Sequence, residues 1–143
     1  MKIESVLQEK GRDVITISPG TRVADAVDTI HKRRIGALVV TGGDGGVLGI
    51  FSERDVMDGL AKHGARALDS QVRENMTELV HSCTRASTVV EVMGMMTRRR
   101  IRHIPVIENQ DLIGIVSIGD LVKARIAETE SEANALKEYI ATG

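Results

Sequence analysis

One internal repeat, about half the chain long, constrains the fold more than any other feature of this sequence. Residues 14–62 read as a short β-stretch (Val14-Ile15-Thr16-Ile17), a turn at Ser18-Pro19-Gly20 and a helix near 22–33. A strand Ala37-Leu38-Val39-Val40, a glycine-rich turn at 42–46, a strand from Val47 to Phe51 and a helix from about residue 53 follow. The second half restates the order, with Leu79 to Cys83 as a strand, Thr88 to Arg100 as a helix and His103 to Ile107 as a strand. A turn at Glu108-Asn109-Gln110-Asp111, a strand from Leu112 to Val116 and a helix from about Ile118 complete it. Each half is β-α-β-β-α. Val23 stands 66 residues before Val89 and Gly49 stands 65 before Gly114, so one residue is lost in the hairpin turn, where a deletion is tolerated.

The apolar pattern agrees with this order. Val23, Ala26, Val27 and Ile30 form one helical stripe, and Val89, Val92, Met93 and Met96 form its counterpart. The strands Leu38 to Val40 and Ile104 to Ile107 are continuously apolar, as strands buried on both faces are. Neither half can cover both faces by itself, so the prediction is an α/β (α+β) fold of two pseudo-symmetric repeats packed as one module. The predicted divisions are an N-terminal segment 1–12, a first repeat 13–63, a linker 64–78, a second repeat 79–127 and a C-terminal helical extension 128–143. Within them, Met1 to Lys10 is amphipathic, with Ile3, Val6 and Leu7 on one side and Gly11 ending it. Ala61 to Ser70 reads as linker, a helical turn is expected around Val72 to Met76, and a long helix runs from Asp120.

Composition excludes several functions. A 42% hydrophobic content supports a core, and a net charge of −1 argues against a nucleic-acid binder that relies on global positive charge. Phe51 and Tyr139 are the only aromatics, so a stacking groove for single-stranded nucleic acid is not expected, and any base bound must lie between aliphatic side chains. One cysteine, Cys83, rules out an intramolecular disulfide framework. No charged-then-apolar leader and no 18-residue apolar run is present, so the expectation is a soluble protein of a reducing, cytoplasmic compartment with no membrane partner.

The most informative pair of segments is Gly49-Ile50-Phe51-Ser52-Glu53-Arg54-Asp55 and Gly114-Ile115-Val116-Ser117-Ile118-Gly119-Asp120, each at a strand-to-helix junction. Serine followed three residues later by aspartate resembles a capping box, which satisfies orphan amides at a helix start. The same groups suit a nucleotide. A carboxylate can accept two hydrogen bonds from a ribose diol, and serine, amides and the positive end of a helix suit a phosphate. The two roles are compatible, and a duplicated unit brings both copies to one central cleft.

These segments, with Ile17-Ser18-Pro19-Gly20-Thr21 before the first helix and Arg100-Ile101-Arg102-His103-Ile104-Pro105-Val106 in the second repeat, give the chain a resemblance to the cystathionine-β-synthase (CBS) domain family over residues 9 to 127. The resemblance implies a pseudo-symmetric pair with two nucleotide sites, each formed by the serine and aspartate closing one repeat and the opening strand of the other. It places Ser52, Arg54 and Asp55 with Val80, His81, Ser82, Arg102, His103 and Pro105 in a first site. It places Ser117 and Asp120 with Ile15, Thr16, Ile17, Gly36, Ala37 and Leu38 in a second. The implied ligand is an adenine nucleotide, AMP, ATP or NAD(H), held as a regulatory ligand by a homodimer that acts on a further protein. Arg102 and His103 offer charge and donors where Gly36 and Ala37 offer backbone, so the first site is expected to take more phosphate charge. Gly119 stands where the first repeat has Arg54, and Thr84 is set opposite Pro19.

No catalytic set assembles. Cys83 and His81 share a strand face, but a cysteine in an apolar strand reads as core, and the four scattered histidines lack metal-ligand spacing. The basic runs Arg98-Arg99-Arg100 with Arg102, and Lys32-Arg33-Arg34, read first as complements to helix C-termini, with ligand phosphates or nucleic acid as the functional alternatives. The expectation is therefore no enzyme, no catalytic cofactor and no metal. The alternatives carried forward are a ligand-free protein-interaction module and, behind it, nucleic-acid binding.

Overall fold

A computed structural model describes residues 1–79 and 81–142. The first half contains β1 (Thr16–Ile17), α2 (Val23–Arg33), β2 (Ala37–Thr41), β3 (Val47–Ser52) and α3 (Glu53–His63), preceded by α1 (Ile3–Lys10). Two 3₁₀ turns (Gly64–Asp69 and Val72–Glu74) and β4 (Thr77–Glu78) lead to the second half, α4 (Val89–Arg99), β5 (His103–Glu108), β6 (Asp111–Ser117) and α5 (Ile118–Thr142).

The repeat is visible in the backbone. Ile17 pairs in parallel with Val40 and Cys83 in parallel with Val106, both 66 residues on. α2 and α4 end at Arg34 and Arg100, each in the left-handed conformation at φ 54°. The β2–β3 and β5–β6 hairpins are antiparallel, and each carries one register shift near its turn.

Three details correct the sequence reading. The expected strand Leu79 to Cys83 is reduced, among the described residues, to the single bridge at Cys83, because an edge segment with one partner needs only the N–H and C=O of Cys83 to dock on Pro105 and Ile107. The expected linker Ala61 to Ser70 is helical almost throughout, since α3 runs to His63 and the 3₁₀ turn buries Ala67. Thr84 stands opposite Ser18 rather than Pro19. Ser18 contacts Thr21 through the two hydroxyls at 3.1 Å, and Thr84 contacts Ser87 at 3.3 Å. Pro19 is thus matched by Arg85, whose N–H donates to Glu108 at 2.8 Å, a bond proline cannot make.

Two cores form, one per repeat. Val23, Ala26, Ile30, Leu38, Val40, Phe51 and Val72 make the first, while Val89, Val92, Met96, Ile104, Val106, Val116 and Leu121 belong to the second. The segment leading into each repeat closes the core of the other. Ile3, Val6 and Leu7 of α1 are buried in the second core, and Val72, just ahead of the second repeat, is buried in the first. The glycine of each duplicated motif makes this possible. A Cβ on Gly49 would overlap the carbonyl oxygen of Thr77 as β4 crosses β3, and one on Gly114 would lie 2.7 Å from Leu7 Cδ2.

Candidate functional site

The two duplicated motifs start α3 and α5 in the same way. Ser52 N–H donates to Asp55 Oδ2 at 2.8 Å, and Ser117 N–H to Asp120 Oδ2 at 2.8 Å. The first N–H of α3 donates to Gly36 C=O at 3.1 Å and that of α5 to Arg102 C=O at 2.8 Å. Each helix start is thereby pinned to the beginning of a neighbouring strand in its own repeat. The capping role expected for these residues is present, and what each aspartate does with its remaining capacity distinguishes the two sites.

In the first, Asp55 is the one buried charged residue among those described, 7% exposed. It accepts from Ser52 Oγ at 3.1 Å and, on Oδ1, from Thr77 Oγ1 at 2.9 Å. Beside it opens a cleft of about 330 Å³, at the lower end of small-molecule sites, which are about 300–1,000 Å³. Ser52, Arg54, Asp55, His81, Arg102, His103 and Pro105 of the expected first site all line it. Ser82 is exposed and does not, because it points to the opposite side of the extended segment from Cys83 and His81 is the residue that faces in. Val80 lies outside the described residues.

Sequence reasoning missed part of this lining. Arg99 and Arg100, read first as complementing a helix C-terminus with ligand phosphates as an alternative and left out of the expected site, face the cleft, where Arg54 Nη1 donates to Arg100 C=O at 2.9 Å and ties the two repeats together. Ile50, Leu79 and Ile101 join Pro105 as aliphatic walls. Thr77 was missed too, since at the repeat spacing of 66 it corresponds to Gly11, which carries no side chain to signal it.

The second site is arranged differently. Asp120 accepts from Lys10 Nζ at 2.6 Å, and the same ammonium donates to Ile115 C=O at 2.8 Å. Burial alone would raise the Asp120 carboxyl, but the Lys10 and Ser117 hydrogen bonds and the Lys10 charge hold it below its ordinary value. Leu38 is fully buried in the first core and Ala37 is 7% exposed, so what this stretch presents at the second site is backbone, as the comparison with Arg102 and His103 anticipated for Gly36 and Ala37. Ile15, Thr16 and Ile17 lie on and beside β1, where Thr16 pairs with Val39. Gly36 lines the first cleft instead, where a Cβ would lie 2.9 Å from His103 Nε2.

His103 lines the first cleft within the charge fields of Glu53 and Asp120. Its pKa is lowered by burial first and by the Lys10 and Arg102 charges, with Glu53 and Asp120 pulling the other way. Its ring is thus a neutral donor and acceptor near pH 7. Cys83 is buried in the second core and burial pushes its thiol up to about 12, which removes it as a nucleophile at neutral pH. Among the described residues, no group of three or more His, Cys, Asp and Glu side chains could hold a metal ion, and no helix is long and apolar enough to cross a membrane.

Comparison with known proteins follows the repeat. The CBS domain matches twice, over residues 10–62 and 70–127. The chain is 35% identical to the mitochondrial CBS domain-containing protein CBSX3 of Arabidopsis thaliana, over 99% of this chain and 72% of that protein. Among other curated relatives it spans as little as 21% of the whole protein. The crystal structure of the CBS-domain containing protein ATU1752 from Agrobacterium tumefaciens superposes with a TM-score of 0.84 at 48% identity, covering 87% of this chain and 92% of that one. The CBS domain pair of protein MJ0100, in complex with 5-methylthioadenosine and S-adenosyl-L-methionine, shares the fold with a TM-score of 0.79 at 21% identity, over 90% of this chain and 98% of that one.

Proposed function

The chain belongs to the CBS-domain family, and from that premise we propose that it is a non-catalytic regulatory module binding an adenosine-type ligand in the cleft beside Asp55. One observation carries this. A buried carboxylate, four arginines (Arg54, Arg99, Arg100 and Arg102) and aliphatic walls meet in one cleft between the repeats. Asp55 takes the ribose diol, with Thr77 Oγ1 yielding one acceptor position. Ile50, Leu79, Ile101 and Pro105 sandwich the base in place of aromatic rings. The arginines take the phosphates bidentately, so ATP is preferred over AMP and NAD(H). The MJ0100 pair, with its two adenosine-derived molecules, supports the ligand class on the same fold.

The second site is closed by Lys10, so one nucleotide binds per chain. Binding draws the start of α3 and the beginning of β5 together and shifts a homodimer between conformations that a further protein reads. Such a shift is limited to the ligand's differential affinity for the two states.

The experiment is a thermal-shift panel of AMP, ADP, ATP, NAD, NADH and S-adenosylmethionine at two salt concentrations. At about 100 times its dissociation constant a bound ligand adds ~2.7 kcal/mol, several degrees in a chain of this size. ATP should give the largest shift, and Asp55→Asn should abolish it. No shift with any of the six would reject the ligand role and leave a protein-interaction module.

A further inference from the structure

Among the described residues, the last stretch of α5 is not buried against any other element of its own chain. Leu121 and Ala124 bury against the second core, yet every residue from Thr129 to Thr142 is exposed. A helix of that length is marginal in water without packing, which calls for a partner. Along α5 the residues Val122, Ile126, Thr129, Ala133, Leu136 and Ile140 recur at alternating steps of four and three. Ile126, Leu136 and Ile140 are 54%, 60% and 69% exposed. This stripe lies roughly 130° round the helix from Leu121 and Ala124, at about 100° per residue, so the globular part leaves it free.

We propose that this stripe is the seam of a parallel, two-stranded coiled coil with a second copy of the chain. The inference names the surface of the dimer invoked above and stands independently of ligand binding. Ile126, Ala133 and Ile140 occupy the a positions and Val122, Thr129 and Leu136 the d positions. Isoleucine at a with leucine at d is the pattern that favours two parallel strands.

Charge selects the occupant and the direction. In a parallel pair each g residue faces the following e residue of the other copy. Arg125 then meets Glu130 of the second copy, and Glu132 meets Lys137 of the second copy, both attractive. The antiparallel pair with the same seam sets Glu132 against Glu132, Glu130 against Glu130 and Lys123 against Lys137, all repulsive. On the far side of the helix, Glu128 bonds the Met1 amino group at 3.1 Å and leaves the seam clear.

The test uses the full chain. Leu136→Cys should give a disulfide-linked dimer on mild oxidation, because in-register parallel helices bring the two positions 136 together, while Ser131→Cys, on the outer face, should not. Buried Cys83, with its raised thiol, stays out of the reaction. By sedimentation equilibrium, Glu132→Lys should weaken the dimer about tenfold, as two attractive contacts become repulsive, and Glu132→Lys with Lys137→Glu should restore it. Failure of Leu136→Cys to cross-link faster than Ser131→Cys, or a dimer constant that Glu132→Lys leaves within twofold, overturns the proposal. Nucleotide shifts recorded on the same variants keep this outcome separate from the fate of the cleft.

Discussion

Lys10 and His103 set the electrostatics around Asp120 and the first cleft. Lys10 Nζ, 2.6 Å from Asp120, occupies the acceptor that a ribose would need. Lys10→Met should free it, and calorimetry with uncharged adenosine should then show a second, weaker binding event; a stoichiometry unchanged at one per chain would count against the plug. His103 makes a pH prediction. Its folded pKa lies below the unfolded value of about 6.5, so the unfolded chain takes up the proton first. Above that pH the group leaves stability unchanged, and as pH falls through ~6.5 it subtracts stability until the folded value is passed. Asp120 acts at lower pH, since its lowered carboxyl contributes stability above about 4 that is lost as pH falls further. Melting temperatures between pH 8 and 5 should decline below ~6.5 in the native chain and stay level over the same range in His103→Gln. An identical decline in both would assign the effect elsewhere.

At the level of elements, the two motif glycines are spacers for the segments that cross them, and they are unequal. A methyl at Gly49 meets the backbone of Thr77, which cannot move without breaking β4 from β3, whereas one at Gly114 meets the end of the Leu7 side chain. Gly49→Ala should cost about 2–3 kcal/mol and Gly114→Ala about 1, by urea unfolding, within the range seen for overpacked sites; the reverse order would mean that α1 is held more rigidly than β4. The β-α-β-β-α order was legible because the apolar stripes of α2 and α4 and the turn residues agree. Duplication pointed to a shared cleft for the two Ser-x-x-Asp motifs, and it was the family resemblance that set Arg102 and His103 beside Ser52 and Asp55. What escaped was non-local. Nothing in Lys10 announces Asp120 as its partner, 110 residues away, and the strand at Leu79 to Cys83 looked extended because apolar alternation does not report how many neighbours a segment will find. The facing of Arg99 and Arg100 depends on a left-handed turn at Arg100 that a non-glycine residue does not advertise.

In the whole molecule, the exchange of leading segments makes the halves mutually dependent. Leu7 is fully buried among residues of the second repeat, and Leu7→Ala should destabilise by about 3 kcal/mol. Hydrogen exchange on that variant should lose protection first in β5, β6 and α5 while β2 and β3 hold theirs; loss beginning in β2 and β3 would contradict the assignment of α1 to the second core. The same arrangement sets a schedule for synthesis. α1 is made early, and its seat at Gly114 follows 107 residues after Leu7. At about 5–20 residues per second, the apolar face of α1 waits ~5–20 s on the ribosome before its resting place exists. Completion of the second repeat is therefore the event that lets Ile3, Val6 and Leu7 leave water.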